Sequence, residues 1–183
     1  MKKRVTKPQS FPSFEKLIEA AIEVCADCSD DVVIVGGLAM QFWGSPRLTL
    51  DVDLAATEVP ARIDGKGLTF GGVRTKAANG VSVDVIVRDD EWAALYHAAI
   101  EHAEDVDGAP APVVSPEYLV AMKMVAGRPK DDDDVRFLVL LDADAFDMEE
   151  CEEIVRDFLG AYAVKELRAI VEEAKWRKDK GDE

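Results

Sequence analysis

The run Arg-Leu-Thr-Leu-Asp-Val-Asp-Leu-Ala at residues 47–55 places two carboxylates one residue apart in an otherwise apolar, alternating stretch. Alternation with period two predicts a strand, and residues i and i+2 of a strand project to the same face. Asp51 and Asp53 therefore share a face with Thr49. Leu48, Leu50, Val52 and Leu54 share the opposite face and are expected to pack on a core. Two like charges held side by side repel, so a fold containing this strand has to supply something that offsets them.

A second alternating run, Val-Ser-Val-Asp-Val-Ile-Val at 81–87, puts Val81, Val83, Val85 and Val87 on one face and Asp84 on the other. If the two strands are neighbours, three carboxylates converge on one side of a sheet. A divalent cation would neutralise them, and Mg2+, with Mn2+ as the alternative, prefers such hard oxygen ligands. Two ions about 3.5–4 Å apart would clamp an attacking and a leaving oxygen. Upstream, the short β-branched run Val32–Val35 reads as a buried strand that opens through Gly36-Gly37 into a helix. Without side chains, these glycines let backbone approach a phosphate, which a helix N-terminus favours. The spacing matches neither the P-loop nor the Rossmann pattern.

The rest of the chain places a small sheet before a helical half. Residues 14–25 have helical spacing behind a Ser13 cap, and 61–80 suggest a hairpin. From Glu91 the pattern is helical, interrupted by a loop at 105–114. Ser115-Pro116-Glu117 starts a helix that presents Leu119, Met122 and Ala126 on one face and stops at Gly127. Another helix follows residues 128–134, Asp147 and Glu150 suggest a capping box for the next, and Val164, Leu167, Val171 and Ala174 mark a last one. Residues 176–183 are expected to fray. The fold class is α/β (α+β): a small mixed sheet with helices, residues 1–112, followed by a helical C-terminal part, residues 113–183.

The net charge of -15 is unevenly placed: residues 1–80 carry ten Lys/Arg and ten Asp/Glu, and the remainder twelve and twenty-seven. A broad basic nucleic-acid face is therefore not expected. The basic residues at 2–7 precede no apolar h-region, and the apolar run Val32–Met40 is too short to span a bilayer, so neither a signal peptide nor a membrane is expected. Three cysteines do not suggest a disulfide framework, and the expected location is cytoplasmic.

The segment 35–55, with Gly-Gly followed by Asp-x-Asp between apolar residues, resembles the nucleotidyltransferase signature of the polymerase-β-like superfamily. Asp84 fills the place of the third metal-binding Asp. Tyr118–Val135 resembles a second motif of the minimal bacterial branch that includes AbiEii-type toxins, in which a helix carries a Lys, here Lys123, ahead of an Arg-x-Lys-Asp segment. The likeness covers residues 32–140 and departs from the pattern at Gly37, where many relatives have Ser. It implies a sheet-borne Mg2+ site at Asp51, Asp53 and Asp84, with Asp84 also assisting deprotonation of the acceptor. Gly36, Gly37 and Lys123 would contact the triphosphate of an NTP, with Arg47 and Thr49 beside them and Asp134, or less directly Asp131, touching the site. The implied reaction moves a nucleoside monophosphate to an acceptor hydroxyl on an RNA end, a protein or a small molecule. A toxin role with a cognate antitoxin protein comes with the branch and is not written in the residues.

Each feature has a plainer alternative. Asp51 and Asp53 would also suit the solvent face of an edge strand, Lys123 a solvated helix face, and Asp131–Asp134 an acid-enriched helix start. Cys25-Ala-Asp-Cys28 lacks a second ligand pair for zinc, and Cys25 fits the apolar face of its helix. A non-catalytic binding module on the same fold, such as an antitoxin or assembly subunit, is the rival from another class; the intact carboxylate triad argues against it.

Overall fold

A computed structural model describes residues 10–28 and 31–181. The basic N-terminal residues 2–7 and the end of the expected tail, residues 182–183, lie outside the described residues. Among the described residues five strands form one mixed sheet: β1 (Val32–Val35), β2 (Asp51–Ala56), β3 (Lys66–Gly67), β4 (Val73–Lys76) and β5 (Ser82–Ile86), in the order β1-β2-β5-β4-β3. β2 and β5 are parallel and every other pair is antiparallel. The register sets Asp53 opposite Asp84 across the parallel pair and opposite Val35 across the antiparallel one. The outer edge of β1 is covered where Ile34 exchanges backbone hydrogen bonds with Pro112 and Val114. That protects a strand whose four residues are all buried.

Among the described residues seven helices complete the fold: α1 (Phe14–Cys25), α2 (Gly36–Phe42), α3 (Ala93–Glu101), α4 (Pro116–Ala126), α5 (Pro129–Leu138), α6 (Met148–Leu159) and α7 (Ala161–Lys180). Ser13 and Ser115 cap α1 and α4 by accepting from backbone N–H groups three residues on, and Gly127 ends α4 in the left-handed conformation. Asp147 caps α6 by accepting from the N–H groups of Glu149 and Glu150. α4 is buried along most of its length, packing on α3, α5 and α6, while α7 closes over α5 and α6. Among the described residues no helix is long and apolar enough to cross a membrane.

Three sequence expectations change. The strand at 47–55 begins only at Asp51, and Leu48 and Leu50 are exposed rather than core. Neither neighbouring strand reaches that far: β1 turns into α2 after Val35, and β5 starts at Ser82 opposite Asp51. Residues 45–50 instead run as a loop, pinned by Gln41 Nε2 donating to the Arg47 carbonyl at 2.9 Å. The acidic run 131–134 lies inside α5, which starts at Pro129, a residue suited to a first helical turn. The expected frayed tail is helical to Lys180, its basic last turn complementing the helix dipole.

The two cysteines of the C-x-x-C pack against the core. Cys28 Sγ donates to the Val24 carbonyl at 3.3 Å, and burial pushes the Cys25 thiol up to about 12, so it stays protonated.

The fold makes α7 part of the core. Leu167, fully buried, should cost about 2–5 kcal/mol when changed to Ala. Urea unfolding followed by circular dichroism would show this; a loss below about 1 kcal/mol would mean that α7 is a dispensable appendage.

Candidate functional site

One cavity of about 390 Å³ opens on the sheet face that carries the carboxylates. Of the residues singled out from sequence, Gly36, Gly37, Arg47, Thr49, Asp51, Asp53, Asp84 and Lys123 all line it. Asp134 does not line the cavity but bonds two residues that do.

The carboxylates lie in different surroundings. Asp51 accepts from Thr49 Oγ1 at 3.1 Å. Asp53 sits between β1 and β5, and burial, reinforced by the charges of Asp51 and Asp84, raises its carboxyl to about 6. Asp84, only 3% exposed, is held by Arg74 on β4, whose Nε and Nη2 both donate at 2.6 Å to its two oxygens. Hydrogen bonding to Asp84 raises the Arg74 guanidinium still further above its ordinary value. Among the described residues, no three His, Cys, Asp or Glu side chains stand together as a finished metal cluster. The donor chemistry nevertheless fits a hard divalent cation. Asp51 and Asp53 are crowded carboxylates whose mutual repulsion a cation would relieve, and Asp84 would join them if Arg74 swung away.

The glycines serve the protein's own packing. Gly36 has φ +65°, a left-handed conformation, and a Cβ there would collide with the Asp53 carboxylate. A Cβ on Gly37 would run into the Thr49 side chain. Bulk at position 37 would therefore disturb the fold: Thr49, only 7% exposed, already fills that space.

Behind the cavity lies a charge network that joins the two halves of the chain. Lys123 Nζ bonds Asp134 at 2.5 Å and Asp131 at 3.4 Å, with all three side chains at most 5% exposed. Arg47 adds a two-pronged contact to Asp134 at 2.7 and 2.9 Å, and Arg128 another to Asp131 at 2.6 and 3.1 Å. Burial pushes the Asp131 carboxyl up, but hydrogen bonds from Arg128 and the charge of Lys123 outweigh it and leave it below the usual range. The reading of Lys123 as a solvated side chain is thus corrected; it is buried, and it faces the cavity from a paired position. Arg74 and Arg128 went unnoticed in the sequence as site residues. Arg74 lies in the weakly patterned stretch 61–80, and only its cross-strand register with Asp84 reveals it.

No family model matches the chain, and no curated protein matches it in sequence. Among solved structures, it is similar to the crystal structure of a provisionally assigned nucleotidyltransferase from H. pylori. The likeness has a TM-score of 0.52 at 14% identity and covers 91% of this chain and 95% of that one. The chain has a nucleotidyltransferase-like fold.

Two outcomes follow from this geometry. The folded-state value of about 6 for Asp53 exceeds the 3.8 of a free aspartate, so its contribution to stability is complete below about pH 4 and is lost as pH rises through about 6. Asp53→Asn should be more stable than wild type above about pH 7, with the gap closing below about pH 4; urea titrations across that range decide, and a gap independent of pH would refute the assignment. Lys123→Ala should lose about 3 kcal/mol, because it leaves buried aspartates short of a cation, whereas a solvated lysine would lose almost nothing in the same measurement.

Proposed function

We propose that the chain is a metal-dependent nucleotidyltransferase that moves a nucleoside monophosphate from an NTP to an acceptor hydroxyl. What supports this most is one cavity that combines Asp51, Asp53 and Asp84 with Arg47, Lys123, Arg128 and Lys130 on a nucleotidyltransferase-like fold. Acidic groups beside basic ones in a single cleft suit a substrate that is itself anionic and carried with a cation. Mg2+, held by Asp51 and Asp53, would neutralise phosphate charge and polarise the phosphorus under attack.

The protein's own groups would do the rest. Arg128 and Lys130 reach the cavity from the start of α5 and would balance the triphosphate. Arg47 and Lys123, already shared with Asp134, would hold position more than add net charge. The acceptor hydroxyl would attack the α-phosphorus while the bond to pyrophosphate breaks. Asp84 would take the hydroxyl proton once Arg74 released it. Most of the rate would come from positioning and charge compensation. The acceptor class, and the toxin role with its antitoxin, rest on the motif resemblance.

The Arg74–Asp84 pair also favours a second reading, a non-catalytic binding module on this fold, in which Arg74 permanently replaces the cation.

The readings separate in two measurements. An NTP with Mg2+ should raise the melting temperature by mass action, a stabilisation of about 2.7 kcal/mol at a hundredfold excess over Kd, and Asp53→Asn should abolish the rise. Incubation with labelled NTP, Mg2+ and a cell extract should then label one fraction. Nucleotide binding without any transfer of label, or no nucleotide binding at all, would overturn the transferase reading and favour the binding module.

A further inference from the structure

The cavity continues past the carboxylates into a region that the proposed chemistry does not use. Ile86 follows Asp84 on the same face of β5, and beyond it four residues line the wall: Phe70 from the loop between β3 and β4, Arg88, Trp92 just before α3, and Tyr96 in its first turn. Arg88 is held rigidly, with its guanidinium carbon 5.5 Å from the Phe70 ring centre and 5.2 Å from that of Tyr96. Asp90 takes its Nε and Nη2 at 2.9 and 2.6 Å, and the Arg88 side chain is 11% exposed. The pair with Asp90 offsets much of its charge, so what the wall offers is planar surface more than net charge. Phe70 is 37% exposed, an apolar ring left open at the cavity mouth. Tyr96 links the two regions: burial raises its hydroxyl, and the Arg88 and Asp53 charges both act on it.

Resting on the nucleotidyltransferase reading, we infer that Phe70, Arg88, Trp92 and Tyr96 form a subsite for a nucleobase, the planar ring of a nucleotide whose phosphates lie toward Asp53 and Lys123. The open faces of aromatic rings stack on heterocyclic rings without demanding a particular base, and Arg88, packed against two of the rings, holds them in place. An inorganic anion would gain nothing from three aromatic side chains, and an aliphatic ligand nothing from a guanidinium clamped between rings. A cavity of about 390 Å³ is of ligand-binding size. Such a ring can come from the incoming NTP or from the terminal residue of a nucleic-acid acceptor, and the experiment separates them.

Binding is measured by calorimetry with Mg2+ for the four NTPs, for inorganic tripolyphosphate and for a short single-stranded RNA. The proteins are wild type, Phe70→Ala, Trp92→Leu and Arg88→Gln. Phe70→Ala removes an exposed ring and does not endanger folding; circular dichroism checks all three variants. We expect NTP affinity to fall about tenfold in the variants, while tripolyphosphate affinity stays within about twofold. A fall confined to the RNA would keep the subsite and assign the ring to the acceptor. If folded variants bind both NTPs and RNA as wild type does, the subsite is refuted. If wild type binds neither NTP nor tripolyphosphate, the nucleotidyltransferase reading fails instead, and the RNA arm alone decides the subsite.

Discussion

The buried pairing of Lys123 and Arg47 with Asp134 is the contact on which the rest depends. It ties the loop before β2, the last turn of α4 and the second turn of α5 into one unit behind the cavity. Buried charges are costly to desolvate, and such a network holds only when each member is satisfied by several partners. Here Asp134 and Asp131 are each served by Lys123 and by an arginine fork, from Arg47 and Arg128 respectively. The network fixes how the helices stand against the sheet, and hence the shape of the cleft.

On the sheet side the problem is the reverse, an excess of negative charge. The fold meets it in three ways. Thr49 donates to Asp51, Arg74 covers Asp84, and Asp53 carries the remaining strain as a raised pKa. The geometry that brings Asp53 so close to α2 requires a left-handed residue without a side chain at Gly36. Carboxylates, glycines and arginine are therefore one compromise, and changing any of them alters what the others can tolerate.

Much of this was legible in the chain. The period-two pattern exposed β2 and β5, and the common face of Asp51, Asp53 and Asp84 followed from strand geometry. Ser115, Gly127 and Asp147 signalled helix ends through local hydrogen bonding. The extent of β2 was not legible, because alternation continues through Leu48 while the pairing partners stop; strand length is set by neighbours, not by the strand. Burial of Lys123 escaped for a similar reason. Its partners lie on the next helix, and a lysine pattern looks the same whether its charge meets water or two aspartates. Arg74 and the wall of Phe70, Arg88, Trp92 and Tyr96 are scattered over weakly patterned segments that only the topology gathers.

The Arg47–Asp134 contact joins residues 87 positions apart in sequence, and this bears on the order of events during synthesis. The glycine pair and the first two aspartates leave the ribosome early, yet the wall of the cleft is not complete until α5 has followed. Long-range contacts of this kind are made late because a large loop must first be closed. The site is thus completed late, and a nascent chain stalled before α5 would hold its glycine pair and aspartates without a finished cleft.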